Sequence, residues 1–288
     1  MTIDMLNQAI QGALIGGLYA LFAVGLSLSL GVIRFINIAH GDLIVLASFL
    51  LMSLSGLLGL SPFVVALFML PLAFAAGYWL QRLLLQRVVG ESVLPVILVT
   101  FGLSIMIQNG LLQAYGPDTH KLHGGQIEVA SVHMFGLFDI GFFPLAVFFT
   151  AIVVIAALDI LLYRTSIGAR IRAVADDPAA ADLIGLSSGR MYAIAMGVVG
   201  MTVMLAASCM SVWTNFDPAI GPSRLLTAFE AVVLGGLGSL WGTLVGGIVL
   251  GIAQNLGAQM DASWQILAQH LIFLLVLVLR PRGLFPKA

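Results

Sequence analysis

The chain has 288 residues, of which 60% are hydrophobic and 9% charged, with 12 Lys and Arg against 13 Asp and Glu. A soluble domain carries about 25% charged residues to cover its wetted surface, so a water-exposed globule is excluded and lipid must cover most of this chain, whose mean hydropathy is +1.10. The net charge of −1 offers no basic face for nucleic acid, and the single cysteine, Cys209 in an apolar run, excludes an internal disulfide framework.

From the N-terminus, Met1 to Asn7 carries no positive charge and no small-residue cleavage site follows, so no cleavable signal is expected. Stretches free of Asp, Glu, Lys and Arg run over 5–33, 43–81, 92–117, 140–158, 191–216, 231–260 and 262–279. A spanning helix needs about 20 apolar residues, because the hydrocarbon is about 30 Å thick and a helix rises about 1.5 Å per residue. The second stretch holds two such helices, broken at Ser61 and Pro62. The spacing therefore predicts segments near 8–31, 41–58, 62–81, 92–114, 141–163, 191–213, 228–258 and 263–280. Helices are the element expected, since backbone groups in lipid must be satisfied within the segment and barrel-type alternation is missing. The fold class is an all-α polytopic membrane protein of seven to eight segments, in one transmembrane domain over 1–288, with an outer loop at 115–140 and an inner one at 164–190.

Orientation follows from positive charge, which gathers on the cytoplasmic side. With the N-terminus outside and the C-terminus inside, Arg34, Arg82, Arg87, Arg164, Arg170, Arg172, Arg190, Arg280, Arg282 and Lys287 face the cytoplasm, and only Lys121 and Arg224 fall outside. The segment 228–258 must then start and finish on one side. It is too short for two spans of about 20 residues each, and it is rich in glycine, so a re-entrant or broken-helix hairpin is expected; one long tilted helix would break the charge pattern. Gly238, Gly242 and Gly246, like Gly12 and Gly16, repeat every four residues, a spacing that lets helix backbones approach closely.

The inner loop contains a compact helix with start and stop signals. Asp177 is a good N-cap, Pro178 suits the first helical position, alanines propagate the helix, and Gly185 is placed to end it in the left-handed conformation. A plain connection does not need such a device, and a docking role competes with that of a simple surface helix.

Ionisable groups inside the membrane are functional candidates by default. Glu230 opens the glycine-rich segment near the outer face, where Arg224 or a partner can pair with it. His270 reads as an interhelical hydrogen bond and Asp159 as a structural or snorkelling group. His40 and Asp42 flank a glycine in an inner loop and read as caps of the second helix. His120, His123 and His133 lack tight ligand spacing, so no metal site is expected, and no clustered acids, bases or nucleophiles suggest catalysis.

Four motifs together resemble a known family. GARIRAVADDPAAADLIG (168–185) looks like the cytoplasmic coupling loop of branched-chain amino acid type permeases of bacterial ATP-binding-cassette importers. GVIRFINIAHGD (31–42) is similar to that family's first-loop signature, and AFEAVVLGGLGS (228–239) and RPRGLF (280–285) resemble its late motifs. The chain looks like the first-permease type of such systems. The resemblance implies an inner-membrane subunit that works with a second homologous permease, two cytoplasmic ATPase subunits and an extracytoplasmic solute-binding protein. It implies contact with the ATPase around Gly168, Arg170, Arg172, Ala173, Ala175, Asp176, Asp177, Ala180, Leu183 and Gly185. A translocation path is expected along Asn37, His40, Phe229, Glu230, Gly235, Gly236 and Gly238. No cofactor is expected on this chain, and ATP and Mg belong to the partner ATPase. In agreement, a P-loop needs Gly-Lys-Ser/Thr, whereas Lys121 and Lys287 follow His and Pro. Cargo is expected among branched-chain amino acids or related amides and organic acids. The competing reading, an ion-gradient-driven transporter, requires coupling-ion residues at the bilayer midplane, and such residues are scarce here.

Overall fold

The computed structural model describes residues 2–89, 94–134 and 138–285; Lys287 and the start of the expected 92–114 segment lie outside them. Among the described residues, seven helices are long and apolar enough to cross a membrane. They are α1 (Thr2–Val32), α2 (His40–Leu58), α3 (Pro62–Trp79, continued to Arg87 by a π turn and a 3-10 turn), α4 (Leu94–Tyr115), α6 (Phe142–Arg164), α9 (Ser188–Trp213) and α11 (Leu240–Met260). Two shorter helices, α10 (Gly221–Gly235) and α12 (Trp264–Leu279), complete the bundle, and α5 (Gln126–Val129), α7 (Ser166–Asp176) and α8 (Pro178–Leu183) lie in the connections. One small antiparallel ladder, β1 (Ser131–Met134) with β2 (Phe138–Gly141), pairs Ser131 with Gly141 in the 115–140 connection. It is the only named sheet among the described residues.

α1 and α9 form the core. α1 packs against α11, α9, α10 and α6, and α9 packs against α3, α1 and α2. The α1–α11 contact is set by glycine. A Cβ on Gly16 would stand 2.5 Å from the Cα of Ile248, and one on Gly251 would stand 2.2 Å from the carbonyl oxygen of Gly12. The four-residue spacing is therefore a seam of backbone against backbone, the geometry that small residues permit. α11 carries a second glycine row toward α10, where Gly242 and Gly246 meet Gly235 and Ala231.

The glycine-rich region holds two helices, α10 and α11, joined by a short turn, and it starts earlier than its sequence expectation. α10 starts at Gly221, seven residues before the expected 228, because Pro222 and Arg224 lie inside its first turn. Gly236 (φ 101°) and Gly238 (φ 76°) turn the chain into α11. The turn packs against Gly31 at the end of α1 and against Gly283. The amides of Leu284 and Phe285 donate to the carbonyls of Leu234 and Gly235 at 2.8 and 3.1 Å. The same end of the bundle gathers the π turn with Arg82, Gln86 beside Gly189 at the start of α9, and Tyr192 near Arg34 and Asp182. It is the arginine-rich end that the charge pattern calls for.

Candidate functional site: the interrupted helices and the surface loop

After α1 ends, residues 33–39 turn back along the helix. Arg34 takes φ 61°, the one positive value of a non-glycine among the described residues. Asn37 closes the turn: its Oδ1 accepts from the Ala39 amide and its carbonyl from the His40 amide, both at 3.1 Å. His40 Nε2 donates to the carbonyl of Phe22 at 2.9 Å, with its ring against Gly25. Phe22 lies ten residues before the end of α1, about 15 Å along it, so α2 begins inside the bundle rather than at its end. This corrects the expectation of capping. Ala39 is the N-cap and no side chain caps α2; His40 reaches α1, and Asp42 reaches α4. The Asp42 carboxylate is buried and accepts from Ser104 Oγ at 2.6 Å and from Gln108 Nε2 at 3.0 Å.

A second interruption lies opposite the first. Beyond α9, Phe216 exchanges backbone hydrogen bonds with His120 at 2.8 and 2.9 Å, and Asp217 Oδ1 accepts from the Ala219 amide. α10 then opens on Gly221, where a Cβ would stand 2.0 Å from Asp42 Oδ1; one on Gly41 would stand 2.0 Å from the Gly221 carbonyl oxygen. The first turns of α2 and α10 thus touch inside the bundle, and 15 residues carry α10 from there to the arginine-rich end. Irregular backbone at that depth is tolerated where protein buries it or water lines it.

The buried polar side chains of this region converge on α10. Its inner face buries Thr227, Ala228, Ala231, Val232 and Leu234, while Pro222, Ser223 and Leu226 are exposed and Phe229 is half-buried. Glu230, expected near Arg224, pairs elsewhere. His270 Nδ1 of α12 donates to Oε1 at 2.5 Å and Gln269 Nε2 to Oε2 at 2.9 Å. Arg224 places its guanidinium 5.7 Å from the centre of the Phe22 ring. It lies within the bundle rather than at an outer end, so its assignment to the outside is corrected. His270 does form the expected interhelical bond. Asp159 is half-buried and forms no ion pair among the described residues.

Of the residues expected along the path, Asn37 and His40 lie at the first interruption, and Phe229 and Glu230 lie midway along α10. Gly235, Gly236 and Gly238 instead sit at the closing turn, each filled by backbone: Gly235 against Gly242, Gly236 against Gly283 and Gly238 against Gly31. A cavity of about 500 Å³ lies between α2, α3, α4 and α9, lined by apolar side chains such as Leu43, Met69, Ile107 and Met204.

The loop at 164–190 folds into two helices, one more than its sequence signals suggested. Thr165 Oγ1 caps α7 by accepting from the Gly168 amide at 3.0 Å. Ile171, Val174 and Ala175 are buried at helical spacing, a signal present in the sequence. Gly168 and Ala175 face the body of the protein; a Cβ on Gly168 would stand 2.1 Å from the Leu161 carbonyl oxygen. Arg170, Ala173 and Asp176 are exposed, and the Arg172 guanidinium lies 4.9 Å over the Tyr163 ring. Asp177 Oδ1 accepts from the amides of Ala179 and Ala180, each at 3.0 Å. Gly185 takes φ 85° and the Leu186 amide donates to the Ala181 carbonyl at 3.0 Å, a left-handed helix end. Asp182 then ties α8 to α9, accepting from the Ser188 amide and hydroxyl at 2.8 and 3.0 Å. Ala180 is exposed, and Leu183 and Ile184 are 88% and 75% exposed at the tip.

The family described as branched-chain amino acid transport system / permease component matches residues 8–279. The high-affinity branched-chain amino acid transport system permease protein BraD of Pseudomonas aeruginosa is 30% identical over 299 residues, covering 98% of this chain and 96% of that one. The high-affinity branched-chain amino acid transport system permease protein LivH of Escherichia coli K12 is 28% identical over 296 residues at the same coverage. The fructose import permease protein FrcC of Rhizobium meliloti is 27% identical over 84% of this chain and 68% of its own. No solved structure matches the chain. With its whole bundle, both interrupted helices and the surface loop inside the matched span, this chain belongs to the branched-chain amino acid transport permease family.

Proposed function

We propose that this chain is the first-type permease subunit of an ATP-driven importer, working with a second homologous permease, two cytoplasmic ATPase subunits and an extracytoplasmic solute-binding protein. The observation that carries the reading is the tip of α8. Leu183 and Ile184 stand 88% and 75% exposed on a helix fastened at both ends by Asp177 and Asp182. They lie among the arginines that mark a cytoplasmic face, so water, not lipid, surrounds them until a protein covers them. On this reading the N-terminus is outside and the C-terminus inside. ATP and Mg are bound by the ATPase, which docks on α7 and α8.

The hydrogen bonds that Asp182 accepts from Ser188 make α8 a lever on α9. Through Gly168 against the end of α6, α7 acts on a second span. ATP-driven closure of the two ATPases pushes these helices, and the permease pair rocks between outward-open and inward-open states. The path runs beside α10, where both interruptions meet. The cargo is a branched-chain amino acid or a related small amide or organic acid. The test is co-purification from the native membrane, comparing the wild type with a variant whose residues 177–185 are a Gly/Ser linker. An ATPase subunit is expected with the wild type and lost from the variant. A wild type that brings no ATPase overturns the importer, and a variant that keeps it overturns the docking site.

A further inference from the structure

α3 and α4 wall a groove backed by α2 and α9, with a volume of about 500 Å³. It is lined by apolar side chains and glycine alone, among them Met69, Leu72, Ala76 and Leu80 of α3 with Leu103 and Ile107 of α4. Its floor is fixed. A Cβ on Gly77 would stand 2.2 Å from the Met196 carbonyl oxygen, and one on Gly200 would stand 2.2 Å from that of Ala73. α3 and α9 therefore already touch backbone to backbone and cannot close on the groove. Its rim is open: Leu72 is 64% exposed, and Ala76 is exposed one turn further on. α4, which packs chiefly on α2, forms the far wall.

Water is a poor occupant of such a groove, because no polar side chain is there to hold it. An amino acid is no better, since its charged ends would be left unpaired. A long apolar chain fits. From Met69 to Leu80 α3 rises about 16 Å, roughly half of a hydrocarbon thickness of about 30 Å, which is the depth of one leaflet. The groove ends at Leu80, where α3 widens into the π turn Leu80–Leu84. Just beyond it lie Arg82 and Arg87, with Arg190 at the start of α9, where Gly189 meets the Gln86 side chain. All three arginines are exposed, and none forms an ion pair among the described residues, where the ion pairs are Lys121–Glu128 and His270–Glu230. A homologous permease laid over the groove would bring its own arginine-rich end to this level, and like charges repel. The headgroup of an anionic lipid brings the opposite sign, and basic pockets between spans on the cytoplasmic side suit it.

We infer that this groove is a binding site for an anionic phospholipid of the cytoplasmic leaflet, with an acyl chain between α3 and α4 and its phosphate at Arg82, Arg87 and Arg190. The inference takes its leaflet from the orientation in the importer reading above. The groove is thus a lipid site on the side of the bundle, separate from the path beside α10.

The test uses the assembled importer in phosphatidylcholine nanodiscs doped with one of two probes. One is a phosphatidylglycerol with a diazirine in its acyl chain, and the other a phosphatidylcholine with the same chain. Light joins the chain to its neighbours, and peptide mass spectrometry maps the products. The phosphatidylglycerol probe is expected to label Leu72, Ala76, Leu103 and Ile107, and the phosphatidylcholine probe to label them several-fold less. Arg87→Gln is expected to cut the phosphatidylglycerol products about fivefold, the effect of about 1 kcal/mol for one arginine near an anionic surface, and Arg87→Lys to keep most of them. Ala76→Trp, at an exposed position on the rim, is expected to fill the groove and remove the label from Leu103 and Ile107. Equal labelling by the two probes overturns the inference, as does groove labelling that survives Ala76→Trp. If the probes label outer faces of the spans but not the groove, the second permease covers it and the inference falls. If a variant does not assemble, the contrast between the two probes on the wild type decides alone. A chain that brings no ATPase at purification sinks the importer reading, whereas an assembled complex whose groove takes no label sinks only this one.

Discussion

The two helices that follow one another as α10 and α11 meet their neighbours by opposite means. α11 lies on α1 through Gly12, Gly16, Gly247 and Gly251, backbone against backbone. α10 shares a glycine row with α11, but its other contacts are held by side chains that bond across helices: Glu230 to α12, with Asp42 at its first turn bonded to α4. A glycine seam has no partner to exchange, and the smallest separation loses its dispersion contacts. Hydrogen bonds between side chains can be traded for others as helices move. The α1–α11 pair is thus the frame, and α10 with the first turn of α2 is the part built to change, where a path is wanted.

The sharpest way to break this contrast is to overfill the seam. Gly16→Leu puts a side chain where even a Cβ would stand 2.5 Å from the Ile248 Cα. Overpacking typically costs about 1–3 kcal/mol, and with backbone on both sides this site is expected at or above the top of that range. The melting temperature in detergent, followed by tryptophan fluorescence, reads it; an unchanged melt would show that the seam is not the frame.

A smaller loss is expected at α10. Glu230→Ala leaves His270 and Gln269 without their acceptor, at about 1–3 kcal/mol, and Glu230→Gln, which keeps an acceptor for Gln269, is expected to lose less than half of that. Equal losses in the two variants would mean that a neutral acceptor of the same volume contributes nothing and that the whole effect belongs to the charge.

The smallest effect belongs to the 115–140 connection. There the Lys121 ammonium at 2.6 Å, with the Gly124 amide, holds the Glu128 carboxyl below its ordinary range. A carboxyl lowered on folding stabilises above its unfolded value and loses that contribution as pH falls through the lowered one. The pair is solvent-exposed, so Lys121→Ala is expected to cost less than about 0.5 kcal/mol at neutral pH, with no difference from wild type in acid. A larger cost in unfolding titrations would move this pair from the surface into the fold's main supports.

Much of this architecture could be read from charge and apolar length alone. The charge-free stretches locate the spans because lipid tolerates few charges, and Asp177, Pro178 and Gly185 announce α8 because capping is local chemistry. Arg224 misled: assigned to the outside by the charge pattern, it lies in the first turn of α10, which starts at Gly221 rather than at the expected 228. Ile171, Val174 and Ala175 already carry the spacing of α7, hidden between two helix signals that drew more notice. The bonds of His40, Asp42 and Glu230 were not legible. Their partners lie 18, 62 and 40 residues away, and only the fold brings them together. The glycines of 235–238 form the turn between α10 and α11, and their contacts with Gly31, Gly242 and Gly283 come from distant parts of the chain that the local sequence does not show.

The importer reading is tested most directly by a cross-link from the tip of α8. Leu183→Cys, placed at a position 88% exposed, would be treated with a short bifunctional thiol reagent in membranes that hold the assembled system. The account predicts a cross-linked product between this chain and an ATPase subunit, formed at α8 and weakened or strengthened when ATP is added. A Leu183→Cys chain that stays freely labelled and joins no ATPase, while the subunits still co-purify, would contradict it and move the coupling site away from α8.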